Sequence, residues 1–148
     1  MLYGMVFAAL LSGTGQPLET VELFYKELPP SLETLARTEE VLDRYGGEFT
    51  VMKHLITDEA SAPIIAAYGL PETHFPFAVA VNGMVSAVVD GQRVDFVHFP
   101  LFMHGIGRHE GNWSLELLER VLTDTSLMVS GVAPEELDET GWTECMDE

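Results

Sequence analysis

The alternation of apolar and polar positions divides the chain into nine segments of regular structure. Residues 1–11, MLYGMVFAALL, form a continuous apolar run with the length and the β-branched and aromatic content of a buried strand. Pro17 stands where a first helical turn accepts proline, and Leu18, Val21, Phe24, Tyr25 and Leu28 recur at helical spacing. A helix is predicted there, ended by Pro29-Pro30. Ser31 is expected to cap a second helix with Leu32, Leu35, Leu42 and Tyr45 on one face, closed by Gly46-Gly47. Residues 49–56, FTVMKHLI, alternate as a strand does, and Asp58 or Ser61 opens a short helix through Ile64, Ile65 and Tyr68 to Gly69. Beyond Pro71 and Pro76, a buried strand is predicted at Phe77–Val81. Asn82-Gly83 and Asp90-Gly91 are two-residue hairpin signals leading to strands at 84–89 and 92–99. Ser114 then caps an amphipathic helix carrying Leu115, Leu118, Val121 and Leu122. The order β-α-α-β-α-β-β-β-α describes an α/β sandwich, a mixed sheet flanked by helices.

Length and charge narrow the class. The 148 residues suit one domain, expected over residues 1–132, with an acidic tail at 133–148 that holds seven of the 24 acidic residues and no basic one. The formal charge of −17 repels phosphate backbones and anionic lipid, so no nucleic-acid or membrane partner is expected. A single cysteine, Cys145, excludes an internal disulfide and a thiolate zinc site. No Lys or Arg precedes Lys26, so the first apolar run reads as a strand and not as an export leader, which slightly favours a cytoplasmic chain and leaves export open for a chain whose leader has been removed.

One stretch resembles a known superfamily. Asp58, then Ala66-Ala67-Tyr68-Gly69-Leu70, then Pro76, Phe77-Ala78-Val79-Ala80-Val81 and Asn82-Gly83 resemble the helix, cis-proline loop and hairpin of the thioredoxin fold, over roughly residues 4–123. The resemblance implies a thioredoxin-like sandwich of four to five strands and a cis Phe75–Pro76 peptide. Redox members of that superfamily carry a CxxC at the first helix. Here Ser12-Gly13-Thr14-Gly15-Gln16-Pro17 stands in that place, so this chain by itself cannot exchange disulfides. What the resemblance leaves is a groove beside the proline that pairs with a peptide backbone, assigned to Thr14, Gln16, His74, Phe75 and Pro76.

Between the hairpin and the last helix lies an insertion longer than the family's usual turn. Residues 90–113, DGQRVDFVHFPLFMHGIGRHEGNW, are rich in aromatics, glycine and histidine. Phe99 and Phe102 extend the expected binding surface, with self-association through residues 96–113 as one form of it. The functional expectation is a redox-inactive domain that binds a protein, a peptide or a second copy of itself, with no catalytic residues and no cofactor.

The alternative is a metal-binding protein or metal-dependent enzyme. His98, His104 and His109 fall within twelve residues and Glu110 follows, an imidazole and carboxylate set suited to a transition metal, although spacings of six and five match no established metal signature. His54 stands apart from the other histidines, and His74 lies near Pro76.

Overall fold

The computed structural model describes residues 18–70, 75–101 and 110–130. Strand β1 (Glu19–Tyr25) is followed by helix α1 (Pro29–Asp43) and strand β2 (Phe49–Leu55). A 3₁₀ turn (Glu59–Ser61) leads into helix α2 (Ala62–Ala67), then strands β3 (Phe77–Val81), β4 (Ser86–Val89) and β5 (Gln92–Asp95). Helix α3 (Leu115–Thr123), a second 3₁₀ turn (Thr125–Leu127) and strand β6 (Met128–Val129) complete the order. The chain is therefore mixed α/β, with two three-stranded sheets, β2-β1-β3 and β5-β4-β6, where the hydrophobic pattern predicts one.

The largest departure from the predicted elements is β1. Residues 18–28 are expected to be helical, yet Glu19–Tyr25 is the central strand of the first sheet, parallel to β2 and antiparallel to β3. A strand covered on both faces buries odd and even positions alike, so its apolar run carries no clean period of two. Val21 and Leu23 enter one core with α1 and α3, while Phe24 enters a second core beneath α2. Pro29 and Pro30 do not stop a helix. They begin one, at positions whose missing N–H groups would have no intrahelical acceptor.

Ser31 lies inside α1 and is not its cap. Leu28 is the cap residue, without a side-chain hydrogen bond. The inner face of α1 combines Leu35, Val41 and Leu42 with buried Thr34 and Thr38, whose hydroxyls donate to the carbonyls of Pro30 and Thr34, both at 2.8 Å. Helix α3 follows the predicted pattern: Ser114 accepts from the Leu117 amide at 3.2 Å, and Leu118, Val121 and Leu122 are buried.

The two sheets meet where the chain leaves β5. The Phe96 amide donates to Val85 on the β4 side at 2.7 Å, while its carbonyl accepts from Val79 of β3 at 2.8 Å. Asn82-Gly83 and Asp90-Gly91 both have the positive φ values of tight hairpin turns. The predicted strand at 92–99 ends early because His98 has φ +73°, a conformation that breaks a strand. Trp113 fills the joint, stacked on Phe77 and edge-on to Phe96, and its indole N–H donates to the His98 carbonyl at 3.2 Å. Phe75–Pro76 is trans, not cis. The predicted first strand and the acidic tail lie outside the described residues.

Candidate functional site

The residues expected to bind a partner are placed unevenly. Thr14, Gln16, His74 and Phe102 lie outside the described residues. Phe75 is fully buried between Phe24 and the α2 residues of the second core, so its ring presents no surface. Phe99 and Phe96 are also core residues, which removes this part of the insertion from the expected apolar patch. These rings are buried because the chain beyond β5 crosses to pair with β3, a tertiary event with no local signature.

Pro76 is half-buried and sits across from the start of α1. The Ser31 hydroxyl donates to its carbonyl at 2.9 Å and accepts from the Lys26 amide at 2.8 Å. One buried side chain thus ties the exit of β1, the first turn of α1 and the entry to β3. Around this junction Leu28 and Leu32 are 56% and 43% exposed, and Pro29 and Pro30 are exposed beside them. Leu32, expected on the inner face of its helix, is on the outer one. The first described strand-to-helix turn is therefore Lys26–Ser31 and contains no cysteine.

The expected metal ligands are only partly located. His98 is buried, and Phe99 and Glu110 pair as neighbouring strand residues, which places Glu110 beside the segment that carries His98. Gly111 is required there, since a Cβ would fall 2.3 Å from the Val97 carbonyl oxygen. His104 and His109 lie outside the described residues. Among the described residues no three His, Cys, Asp or Glu side chains gather as a metal site.

A different cluster carries more chemistry. Glu22 on the central strand is 6% exposed and shares its face with Phe24, next to Ala80 on β3 and Met52 on β2. Its Oε1 lies 3.1 Å from Nε2 of His54 on β2, and the Tyr68 hydroxyl, just after α2, donates to its Oε2. A carboxylate oxygen accepts, so the pairing is made by a hydrogen on His54 Nε2 and leaves Nδ1 outside the contact. The ring is further held against Phe24, with centroids 5.0 Å apart.

Burial, then the hydrogen bond to Glu22 and its negative charge, push the Tyr68 hydroxyl up to about 12. It stays a proton donor throughout the physiological range. Tyr68 also borders an open hollow of about 310 Å³ formed with Gly69, Gly83, Met84 and Val129. The turn glycine beside it is set by its own backbone: Gly83 has φ +78°, a conformation L side chains rarely adopt, while a Cβ there would meet the Tyr68 ring only at ordinary contact distance.

Glu22 is not named from the sequence, Tyr68 is named only as a helix residue and in the stretch that carries the resemblance, and His54 is noted only as standing apart. The signal was present: once residues 19–25 are a strand, Glu22 is a carboxylate on the same face as Phe24. Reading the segment as a helix hid it. No family model matches this chain, and neither a curated protein nor a solved structure matches it. Among the described residues no helix is long and apolar enough to cross a membrane.

Proposed function

We propose that this chain is a thioredoxin-like domain without redox chemistry that binds an extended segment of a partner polypeptide. The observation that carries the reading is the exposed apolar rim formed by Leu28, Pro29, Pro30 and Leu32, tied by Ser31 to the Pro76 carbonyl. Two further features support it. The run β1-α1-β2-α2-β3, with β1 parallel to β2 and antiparallel to β3, is the strand order of the superfamily's central motif. Pro76 enters β3 opposite the first turn of α1, where redox relatives would hold their thiols.

With Lys26-Glu27-Leu28-Pro29-Pro30-Ser31 in that turn, it holds no thiol, which supports recognition in place of disulfide exchange there. Leu28, Pro29, Pro30 and Leu32 lie close together in sequence at the helix start, so covering them in a complex would bury apolar surface at one point. The net charge of −17 directs the choice of partner toward neutral or basic segments through long-range attraction.

The test is nuclear magnetic resonance titration with a library of basic, apolar-containing linear peptides. Peptides that bind are expected to shift the amides of residues 26–32 and 75–77 and to lose affinity at least tenfold in Leu28→Glu/Leu32→Glu. Shifts confined to other surfaces, unchanged affinity in that variant, or no binding peptide in the library would overturn the reading.

A further inference from the structure

We propose that Met52 and His54 form a binding site for a soft monovalent metal ion, Cu(I) by chemistry and Ag(I) as its stable probe. Glu22 acts as the positioning carboxylate. Residues two apart on a strand project to the same face, so Met52, Glu22 and His54 share one side of the first sheet. Strand β2 is at the edge of that sheet, and both side chains reach solvent: Met52 is 38% exposed and the His54 side chain 15%.

The donor set selects the ion. A thioether is a soft, weak ligand that holds Cu(I) and has little affinity for hard divalent cations, and imidazole suits the same ion. Glu22 is 6% exposed and each of its oxygens already accepts a hydrogen bond, one from His54 and one from Tyr68, which disfavours it as a direct ligand to a hard cation. Its role is outside the coordination sphere. By accepting from Nε2 it fixes the ring and holds that nitrogen's hydrogen, which leaves Nδ1 as the coordinating atom, as outer carboxylates do for metal-bound histidines. Among the described residues Nδ1 has no hydrogen-bond partner.

The intervening Lys53 does not oppose a cation at the site. It projects from the other face of the strand, where its ammonium lies 3.7 Å from Glu39 of α1. The strongly negative chain adds a general attraction for cations. This site is separate from the histidine set around residues 98–110, and it does not depend on the peptide-binding reading.

Because a thiolate would outcompete a thioether, the experiment uses the full chain with Cys145→Ser. Titration with Ag(I), and with Cu(I) under anaerobic conditions against a chromophoric competing chelator, is followed by the methionine methyl and histidine ring resonances. The first equivalent is expected to move the Met52 methyl and the His54 ring. Met52→Leu and His54→Gln are each expected to weaken binding at least tenfold. Glu22→Gln is expected to weaken it about tenfold while the same two resonances still move. A first equivalent that leaves the Met52 methyl unmoved, or a folded Met52→Leu/His54→Gln protein that binds as its parent does, would overturn the site. Unchanged affinity in Glu22→Gln would overturn the role of the carboxylate.

Discussion

Two carboxylates are buried to nearly the same depth in the two sheets, Glu22 at 6% exposure and Asp95 at 7%, yet they are built differently. Asp95 is enclosed by groups of its own hairpin and one neighbouring loop. Its Oδ1 accepts from the fully buried Ser86 hydroxyl at 2.5 Å and from Arg93 Nε at 3.2 Å, while its amide donates to the Asn112 side chain at 2.8 Å. The Asn112 amide group returns a bond to the Arg93 carbonyl at 3.3 Å, so the loop is stitched to β5 at both ends of one side chain. Glu22 is held by two titratable side chains, His54 of β2 and Tyr68 after α2, and both are partly exposed. The first arrangement closes a joint. The second orients an imidazole at a surface, and that difference, not depth of burial, separates a structural acid from a candidate site.

Breaking the joint itself has the largest expected effect. Trp113→Ala empties the space between Phe77 and Phe96 and releases the loop that brings Asn112 to Asp95, and is expected to cost about 3–5 kcal/mol in urea unfolding. Asp95→Leu removes the acceptor of a buried hydroxyl and is expected to cost about 1–3 kcal/mol in the same measurement. Glu22→Leu sharpens the contrast. Tyr68 and His54 can each turn to water, and an apolar side chain then replaces a desolvated charge, so stability is expected within about 1 kcal/mol of wild type or above it. A loss as large as that of Asp95→Leu would make Glu22 a structural residue like its counterpart.

A smaller effect lies in the pH dependence. The Tyr68 hydroxyl is raised above its unfolded value of 10.0 to about 12, so both states are protonated below pH 10 and its contribution is fully present there. Between about pH 10 and 12 the unfolded chain loses this proton first, and the contribution is lost as pH rises. Thermal unfolding is therefore expected to fall more steeply with pH over that range in wild type than in Tyr68→Phe. The smallest effect is assigned to Asp90→Asn. Its carboxyl is held below the usual range by the hydrogen bond and the charge of Arg120, but both groups are exposed, and asparagine suits the positive φ of this turn. No measurable change in unfolding midpoint is expected at physiological salt.

Local signals in the chain were legible wherever the cause of a structure is itself local. Ser114 and the spacing of Leu118, Val121 and Leu122 locate α3, Asp58 caps its 3₁₀ turn by accepting from the Ala60 amide at 3.1 Å, and the two hairpin turns need the residues they contain. The run at 18–28 was misread because a doubly buried strand and a helix can share an apolar pattern, and the proline pair was assigned to the end of one helix instead of the start of the next. Ser31, expected as a helix cap, lies inside α1 and bonds elsewhere, since nothing local says that a carbonyl 45 residues away will take its proton.

The lack of a cysteine pair and the strong acidity follow from residue identities alone, because counts and charges do not depend on how the chain is folded, while the mixed α/β class follows from the order of apolar patterns and turn signals. Which face Glu22 occupies, whether Phe75 is a surface or a core ring, and whether His54 has a partner depend on pairings between distant segments. Those pairings arise from the order β2-β1-β3, which brings residues 22, 54 and 68 together across two crossovers. Long-range juxtaposition is selected by burial of both sheet faces at once, a cooperative gain that no window of sequence contains.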